Sequence, residues 1–513
     1  MKLIDKTYKI YIISFIIGLF AKFCFSNNPV CYIYAILIFS MFLSLFYNAI
    51  QYINNKQSFY TGYSFGMGYF LSSLYWVFYS FECVGLEIPG YFAVILLCMY
   101  LSIYTGLSCY ITSKFHKNSG KISFVILFAT SWVFFEYLRG MIFTGFPWNL
   151  VGYTTYDIPY FPQIASILGI YGVSFIFLLI IGFIWTRSIK SIIYSISLFC
   201  LCYTFGYLHI NNILGNHHEI DLKNDYEIIM IQPSIPQEQK MNRNYLFQNT
   251  NKCIELSQIS NFNIKTKYII VWPEDSINCF IEEAHEFRQY IAKNVCQNND
   301  NIFIISGADR REKNNIYNSL FIFDKNGNIL DFYDKKHLLP FGEFIPDFLS
   351  KTPLKKLTEG SINFSKGTKN RRININDIKD IKIDVIICFE SVFPEEIVEN
   401  PKDKPDCIIN ITNDAWFKKS DEPIQHLKTV CFRAIEYGLP IFRCTNNGIS
   451  SYINHFGQII KKLDTNVVDS ITINTKQFIT VDTIFSQYKN IPIVCILISI
   501  LLIFITLSKH QCK

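Results

Sequence analysis

Eight long apolar segments, seven before a large polar region and one after it, constrain this chain more than any other feature. The first seven span 10–25, 31–50, 64–81, 91–112, 122–143, 164–186 and 191–209, and the eighth spans 491–507. Several are long enough to cross a hydrocarbon core of about 30 Å as a helix. Half of the residues are hydrophobic and only 17% are charged, which is typical of a membrane protein and not of a large soluble enzyme.

The placement of lysine and arginine predicts the orientation of these segments. If the N-terminus is cytoplasmic, eleven basic residues fall on the cytoplasmic side, and only Lys22 and Arg139 fall in short connections on the other side. The first segment has a basic start like a signal peptide, but no small-residue cleavage site follows it, so we expect a retained helix. Seven crossings then place the polar region in the periplasm, and the eighth returns the C-terminus to the cytoplasm.

The polar region is predicted to be an α/β domain. Strand-like runs lie at 226–232, 267–274, 301–309, 319–324, 381–390, 406–414 and 440–453, with helical stretches at 280–297 and 424–437. Near-continuous aliphatic runs of this kind suit strands that are covered on both faces. The sequence therefore predicts a transmembrane domain of seven helices at 1–210, an extracytoplasmic domain at 225–480 and a C-terminal transmembrane helix at 491–507.

The sixteen cysteines do not form a recognisable disulfide framework or zinc site. Nine lie in or beside apolar segments, and the other seven are scattered through the polar region without CxxC spacing or partnering histidines. Small apolar packing is the expected role of most of them.

Two reactive side chains follow aliphatic runs of the polar region. Cys388 ends the run DVIIC, where a buried strand cysteine is the commoner explanation, but the run stops here and the thiol could face a cleft. Glu274 follows IIVWP, and Pro273 suits a strand end because it has no N–H. An apolar setting would suit Glu274 as a general base, although a solvent-exposed loop acid explains it equally well.

A third reactive side chain, Lys335, lies in the segment YDKKHLLPFGE. Lys335 and Lys336 are adjacent, so in an extended segment one can enter a cleft while the other stays in water. An inward ammonium can stabilise a tetrahedral oxyanion. We expect a structural role for His337, while Glu343 could orient Lys335 or a substrate amine. On its own, this segment is also explained as a basic loop.

These motifs together resemble those of a known enzyme superfamily. WPE, the YxKxHLxPFGE segment and CFE at a strand end are similar to the Glu-Lys-Cys motifs of the nitrilase (carbon–nitrogen hydrolase) superfamily. More narrowly, the chain resembles the apolipoprotein N-acyltransferase family over nearly its whole length. The residues that carry this resemblance are FTGFPWNLVGY (143–153), NITNDAWF (410–417), QHL (425–427) and RAIEYGLPIFRCTNNGIS (433–450), together with the apolar flanks.

By this resemblance Glu274 is the proton acceptor, Lys335 stabilises the oxyanion and Cys388 is the nucleophile. Glu343 and Glu390 match further carboxylates of the family that support the site. The resemblance also implies the fold class, which is a multi-pass α-helical membrane domain plus an α/β nitrilase-like domain built as an α-β-β-α sandwich.

Two residues depart from the family pattern. The family usually has tyrosine after the nucleophile, where this chain has Phe389, and often has tryptophan shortly after the IPQ segment, where this chain has Met241. Phe389 keeps a ring but lacks a hydroxyl, and Met241 keeps apolar bulk with more freedom. Neither change removes a reactive group, so both bear on substrate handling more than on the chemistry.

Two ionisable residues stand out in the membrane part. Glu136 and Arg139 are three residues apart near the outer end of the fifth segment, on one helical face. Burying charge in a membrane is costly, which favours a functional role, but near an interface a structural ion pair explains them equally well.

The resemblance implies an acyltransferase of the bacterial inner (cytoplasmic) membrane, with its catalytic domain on the periplasmic side. It would transfer a fatty acyl chain from membrane phospholipid, through a thioester on Cys388, to the N-terminal α-amine of the diacylglyceryl-cysteine of an apolipoprotein. This would be the last step of lipoprotein maturation. No cofactor, metal or nucleic-acid partner is expected, and the chain is expected to be a monomer.

Two alternatives remain open from the sequence. A membrane-tethered amidase would pass the acyl group to water, although eight crossings are more than a soluble substrate needs. A transporter or receptor would carry a degenerate extracytoplasmic domain, although the presence of all three reactive residues argues against it.

Overall fold

A computed structural model describes residues 2–116, 120–211, 217–259, 263, 265–347, 356–358, 363–375, 378 and 380–510. The chain divides into two compact units. The helical unit contains 1–82, 86–215 and 483–513, and the α/β unit contains 83–85 and 216–482.

The helical unit consists of eight helices before the α/β unit and two after it, among the described residues. They are α1 (Lys2–Leu19), α2 (Cys31–Ala49), α3 (Asn55–Ser73), α4 (Val77–Glu82), α5 (Glu87–Phe115), α6 (Gly120–Arg139), α7 (Ala165–Thr186), α8 (Ile189–Ile210), α13 (Ile484–Tyr488) and α14 (Ile491–His510). Their apolar composition places many large hydrophobic side chains at the surface of the unit, as lipid contact requires.

Seven helical stretches of the described chain are long and apolar enough to cross a membrane. They are Lys6–Cys24, Cys31–Ala49, Glu87–Phe115, Gly120–Arg139, Phe161–Thr186, Ile189–Ile210 and Ile491–Lys509. These helices indicate a membrane protein. Because length and composition alone define the set, the orientation of the chain stays a prediction.

The predicted apolar segment 64–81 is not one helix, and this part of the prediction is wrong. Helix α3 starts earlier, ends at Ser73 and is followed by the short α4. Helix α3 contains several polar residues and packs closely on α1 at glycine: a methyl group on Gly68 would lie 2.1 Å from Phe15 O. The prediction of seven crossings before the α/β unit depends on α3 crossing the membrane, and it stays a prediction.

The α/β unit contains two sheets. Its strands are β1 (His217–Gln232), β2 (Thr266–Val271), β3 (Ile277–Phe280), β4 (Ile302–Glu312), β5 (Asn315–Phe323), β6 (Ile329–Asp334), β7 (Ile383–Ile387), β8 (Cys407–Thr412), β9 (Ile441–Thr445), β10 (Ser451–Ile453), β11 (Ile459–Lys462) and β12 (Asp469–Val481). Its helices are α9 (Gln237–Met241), α10 (Leu246–Leu256), α11 (His285–Cys296) and α12 (Glu422–Tyr437).

The first sheet has the order β12-β1-β2-β4-β5-β6, with β3 paired to β4, and the second has the order β11-β10-β9-β8-β7. Strands β1, β2 and β4 are parallel to one another, as are β7, β8 and β9. In both sheets the outer hairpins are antiparallel.

Alternate residues of the two sheets pack into one shared core. Ile228, Ile269 and Ile305 of the first sheet belong to the same cluster as Val385 and Ile409 of the second. The opposite face of the first sheet packs on α10 and α11. Helix α12 lies against the second sheet, where Gly457 between β10 and β11 contacts it closely. These layers confirm the predicted α-β-β-α sandwich.

Candidate active site

Glu274 lies three residues after β2, in a segment fixed by the neighbouring strand β4. Trp272 N–H donates to Ile305 O at 2.8 Å, and Gly307 N–H donates to Pro273 O at 3.3 Å. A methyl group on Gly307 would lie 2.7 Å from the Cα of Glu274, so only glycine allows the strand to pass this closely. The Glu274 residue is 5% exposed.

Lys335 follows β6, and its ammonium group lies between two carboxylates. Its Nζ is 3.3 Å from Glu274 Oε1 and 3.0 Å from Glu343 Oε1, and all three side chains are buried. Burial opposes the charge of Lys335, but the carboxylates of Glu343 and Glu274 raise the pKa of Lys335 well above its usual value. Lys335 is therefore a fixed cation. The side chain of Lys336 lies elsewhere, with Nζ 2.5 Å from Glu399 Oε1.

Glu343 is placed by the Pro-Phe-Gly turn that precedes it. Its Oε2 accepts a hydrogen bond from Leu339 N–H at 2.7 Å, so the carboxylate closes its own loop while Oε1 faces Lys335. Phe341, in the middle of this loop, has a φ of +63°. The loop thus carries a strained residue between the cation and one of its two carboxylates.

Asn318 joins the two carboxylates, and sequence reasoning missed it. Its Nδ2 donates to Glu274 Oε1 and to Glu343 Oε1, each at 2.8 Å. Its own backbone carbonyl accepts from Lys335 N–H at 2.9 Å. The signal in the sequence is an asparagine within the strand-like segment that becomes β5. The sequence does not show which groups the amide of this asparagine contacts.

Cys388 directly follows β7 and begins a single helical turn, Cys388–Val392. It keeps partial solvent exposure, and its φ is +48°, which is unfavourable for a residue with a Cβ. Burial of the thiol and the Glu274 carboxylate raise the pKa of Cys388 well above its usual value, although Lys335 opposes this. All three predicted reactive groups therefore act on one another in one site, and their balance favours the thiol over the thiolate.

Glu390 lies on the far side of this turn and supports the backbone. Its carboxylate pairs with Arg371 at 2.8 Å, accepts from Tyr333 Oη at 2.7 Å, and accepts from the backbone N–H groups of Lys336 at 2.8 Å and Ile387 at 2.7 Å. Burial opposes the charge, but Arg371 holds the pKa of Glu390 below its usual value. Glu390 thus ties the segment after Lys335 to the end of β7.

The neighbouring aromatic and histidine residues pack together beside Cys388. His337 Nδ1 lies 3.0 Å from Glu396 Oε1, and its ring stacks on Phe393 with centroids 3.6 Å apart. Phe389, which departs from the family pattern, has its ring centroid 5.9 Å from that of His337. These contacts account for His337 as a structural residue.

A second buried lysine, also missed from the sequence, holds the backbone of Glu274. Lys240 Nζ donates to Glu274 O at 2.7 Å. Burial lowers the pKa of Lys240, although Asp275 and Glu274 oppose this. Lys240 lies next to Met241 at the end of α9, so the second departure from the family pattern is one residue from a group that positions Glu274.

Another buried polar cluster lies behind the turn of Cys388. His426 Nδ1 is 3.3 Å from Glu422 Oε1 and 3.4 Å from Asp414 Oδ1, and Arg443 Nη2 is 3.0 Å from Asp414 Oδ2. Burial raises the pKa of Glu422 to about 7, so the two carboxylates face two cationic groups when Glu422 is ionised and the imidazole is protonated. Because the charges already balance, we interpret this cluster as an ion network and not as a site for a divalent cation.

In the helical unit, Glu136 and Arg139 hold the segment that follows α6. Arg139 Nη1 donates to Phe146 O at 2.8 Å and to Trp148 O at 2.9 Å, while Glu136 Oε1 accepts from Val151 N–H at 3.1 Å. Both side chains therefore satisfy backbone groups of the motif FTGFPWNLVGY. This gives the two ionisable residues a structural role.

The arrangement around Cys388 is suited to nucleophilic chemistry at a carbonyl carbon. A neutral thiol must lose its proton to attack, and the carboxylates of Glu274 and, more weakly, Asp414 act on it. The fixed charge of Lys335 can stabilise negative charge that develops on a carbonyl oxygen. Asn318, Glu343 and Lys240 touch the base or the cation and so fix their geometry.

Comparison with known proteins gives matches to two family models. Residues 17–183 match the model described as the apolipoprotein N-acyltransferase N-terminal domain, and residues 230–476 match the model described as carbon-nitrogen hydrolase. The first match lies mainly in the helical unit and the second lies in the α/β unit.

Curated relatives match the chain over nearly its full length. A protein of Rickettsia prowazekii named apolipoprotein N-acyltransferase is 32% identical, over 98% of this chain and 99% of its own. One of Rickettsia typhi with the same name is 33% identical over the same shares. Among solved structures, a nitrilase-superfamily member from Saccharomyces cerevisiae has a TM-score of 0.36 at 17% identity and covers 53% of this chain and 96% of its own.

Proposed function

Since this chain belongs to the apolipoprotein N-acyltransferase family, we propose that Cys388 carries a fatty acyl group from a phospholipid to a lipoprotein amine. The chain is a membrane-embedded acyltransferase that takes part in lipoprotein maturation. The observation that carries the finer proposal is the contact of Lys335 with both Glu274 and Glu343, beside a thiol whose proton must be removed.

In the first half-reaction, Glu274 takes the proton of the Cys388 thiol, and the sulfur attacks the carbonyl carbon of a phospholipid acyl ester. Lys335, together with backbone N–H groups, stabilises the resulting oxyanion. The carbon–oxygen bond of the ester then breaks, and Glu274 returns the proton to the departing oxygen. Lysophospholipid leaves, and the acyl group remains as a thioester on Cys388.

In the second half-reaction, the neutral α-amine of the N-terminal diacylglyceryl-cysteine attacks the thioester. Glu274 takes a proton from the attacking nitrogen, and Lys335 again stabilises the oxyanion. The carbon–sulfur bond breaks, the sulfur recovers its proton from Glu274, and the triacylated lipoprotein leaves. Glu343 and Glu390 support the site by holding the cation and the nucleophile turn.

Two further parts of the proposal concern location and assembly. We propose that the chain lies in the bacterial inner membrane as a monomer with the α/β unit on the periplasmic side, because eleven basic residues fall on the opposite side. Reporter fusions after α8 and after α14 test this. A periplasmic reporter active only after α8 supports the orientation, and one active only after α14 contradicts it.

The transferase is tested with detergent-solubilised full-length protein, a diacyl phospholipid and a synthetic diacylated lipopeptide. We expect a triacylated peptide and an equal amount of lysophospholipid, with neither product from Cys388→Ala. Free fatty acid without triacylated peptide would instead identify a hydrolase that uses water. Unchanged transfer by Cys388→Ala would contradict the proposed role of the thiol.

A further inference from the structure

The strained backbone of Cys388 is held by hydrogen bonds on both sides. A φ of +48° at a residue with a Cβ persists only where its surroundings fix it. Before the nucleophile, Ile387 N–H donates to Glu390 Oε2 at 2.7 Å. After it, Ser391 Oγ donates to the carbonyl of Cys388 at 2.9 Å. The bond from Ser391 is therefore one of the contacts that aim the nucleophile.

His426 controls where the single hydroxyl proton of Ser391 goes. Its Nε2 lies 2.8 Å from Ser391 Oγ, and both residues are buried. When Nε2 carries a proton, it donates to Oγ and leaves the hydroxyl proton for the carbonyl of Cys388. When Nε2 carries no proton, it competes with that carbonyl for the hydroxyl proton.

The other side of the imidazole favours its doubly protonated form. Nδ1 faces Asp414 Oδ1 and Glu422 Oε1, which are both acceptors, at 3.4 and 3.3 Å. Arg443 neutralises Asp414 from the other side, at 3.0 Å. Burial and Asp414 raise the pKa of Glu422 to about 7. Above that pH two anions and two cations balance within the buried cluster, whereas a neutral imidazole would leave Glu422 without a counter-charge.

The same cluster reaches the sulfur by a second route. Thr412, the last residue of β8, has its Oγ1 3.1 Å from Asp414 Oδ1. Burial raises the pKa of the Cys388 thiol, and the Thr412 hydroxyl opposes this. The cluster therefore contacts the carbonyl of the nucleophile through Ser391 and affects the pKa of its thiol through Thr412.

We propose that His426, as an imidazolium, is a positioning residue for Cys388 that acts through Ser391 and touches none of the reacting atoms. This inference rests on the proposed role of Cys388 as the nucleophile. His426 is a buried residue of α12 outside the Glu-Lys-Cys set. Its protonation determines whether Ser391 donates to the carbonyl of Cys388.

The protonation of His426 gives the proposal a pH dependence. Among the described residues, the charged groups that face the imidazole include Asp414, Glu422 and Arg443, and the turn contributes the neutral Ser391. Burial and Arg443 oppose the charge, but the two carboxylates raise the pKa of His426 above its usual value. The hydrogen bond from Ser391 to the carbonyl of Cys388 is thus favoured below this raised pKa. It is lost as the pH rises through the pKa of His426.

The first test is a double-mutant cycle on the full-length protein in detergent. Cys388 acylation by dioleoyl phosphatidylethanolamine and Cys388 alkylation by iodoacetamide are both followed by mass spectrometry. We expect Ser391→Ala and His426→Leu each to lower the acylation rate roughly tenfold. The double variant should be no slower than the slower single variant. Losses that multiply, or a Ser391→Ala rate within about twofold of wild type, would overturn the proposal.

The second test uses His426→Gln, whose amide N–H can replace the Nε2 donor but does not titrate. The ratio of the wild-type rate to the His426→Gln rate should fall as the pH rises from about 6 to 9, because only wild type loses its donor. A constant ratio overturns the proposal. If His426→Leu fails to fold, Ser391→Ala and His426→Gln still decide the outcome.

The two readouts separate this inference from the proposed function. Absence of an acyl adduct on wild-type Cys388 contradicts the acyl-transfer mechanism. The alkylation rate needs no acyl donor, so it tests the hold on the thiol in either case. Equal alkylation rates for wild type, Ser391→Ala and His426→Leu would overturn the role of His426 even if the acyl adduct forms.

Discussion

Replacing Asn318 by leucine tests whether the carboxylates around Lys335 must be held together. Leucine has the same number and branching of side-chain heavy atoms but donates no hydrogen bond, and Asn318 Nδ2 donates to Glu274 and Glu343 at 2.8 Å each. A hydrogen bond to a charged group contributes about 1.5–3 kcal/mol. Lys335 still contacts both carboxylates, so we expect one such contribution to be lost from the transition state. That loss corresponds to a rate about ten- to a hundredfold lower.

The assay is single-turnover acylation of Cys388 at saturating phospholipid, with apparent thermal stability measured in the same detergent. Asn315→Leu is the matched control, because Asn315 is an exposed residue of the same strand, and its rate should stay within about twofold of wild type. The reasoning is refuted if folded Asn318→Leu acylates within about twofold of wild type, or if the control loses as much.

A pH series with Asn318→Asp tests the same contact from the opposite direction. An aspartate here would lie beside two carboxylates, so its pKa would be raised and its charged form would repel Glu274. As the pH falls, the introduced acid gains a proton and regains a donor, so its rate relative to wild type should increase. A relative rate that does not change with pH would contradict the hydrogen-bond arrangement.

Three further predictions concern the surroundings of the site. Gly307→Ala should abolish acylation, because a methyl group would lie within 3 Å of the segment that carries the base; a wild-type rate would contradict this. Arg371→Met should destabilise the protein by about 3–5 kcal/mol, since Glu390 is left as an unpaired buried charge, whereas Lys462→Met in an exposed pair should have little effect on thermal unfolding. Because the pKa of Cys388 is raised, its alkylation by iodoacetamide should accelerate about tenfold per pH unit from pH ~7 to ~9, and a plateau below pH ~8 would show that the thiolate already exists.

Periodicity in the sequence predicts most strands of the α/β unit, whereas the α-β-β-α layers follow from the family resemblance. Aliphatic runs such as KYIIVWPE and IKIDVIICFE contain real strands, but the strands end earlier, at Val271 and Ile387. Pro273 and the turn at Cys388 end the pairing, and their backbone geometry depends on contacts with other strands. The run 440–453 contains two strands, β9 and β10, because the NNG segment turns the chain.

The membrane helices were predicted less well where packing outweighs hydropathy. Helix α3 contains glycines and polar residues that let α1 approach closely, so its bounds do not coincide with an apolar run. Such close packing stabilises helices in a bilayer without requiring large apolar side chains. A hydropathy pattern contains no information about which faces meet.

For the site, the sequence could identify the reactive residues but not the groups that hold them. Glu274, Lys335 and Cys388 each have a structural explanation when they are considered alone. Only their occurrence together, in this order, indicates an active site. Asn318 and His426 are single polar residues on a strand and a helix, and only the fold brings them to the carboxylates and to the turn of the nucleophile. Polar contacts between distant segments have no local sequence pattern.

The most direct test of the acyl-transfer mechanism is mass spectrometry of the intact protein after incubation with phospholipid alone. The mechanism predicts that one fatty acyl group replaces one hydrogen, and that the adduct maps to Cys388 and is released by hydroxylamine as a thioester. Addition of a diacylated lipopeptide should remove the adduct as triacylated peptide appears. An adduct on another residue, or triacylated peptide made by Cys388→Ala, would contradict it.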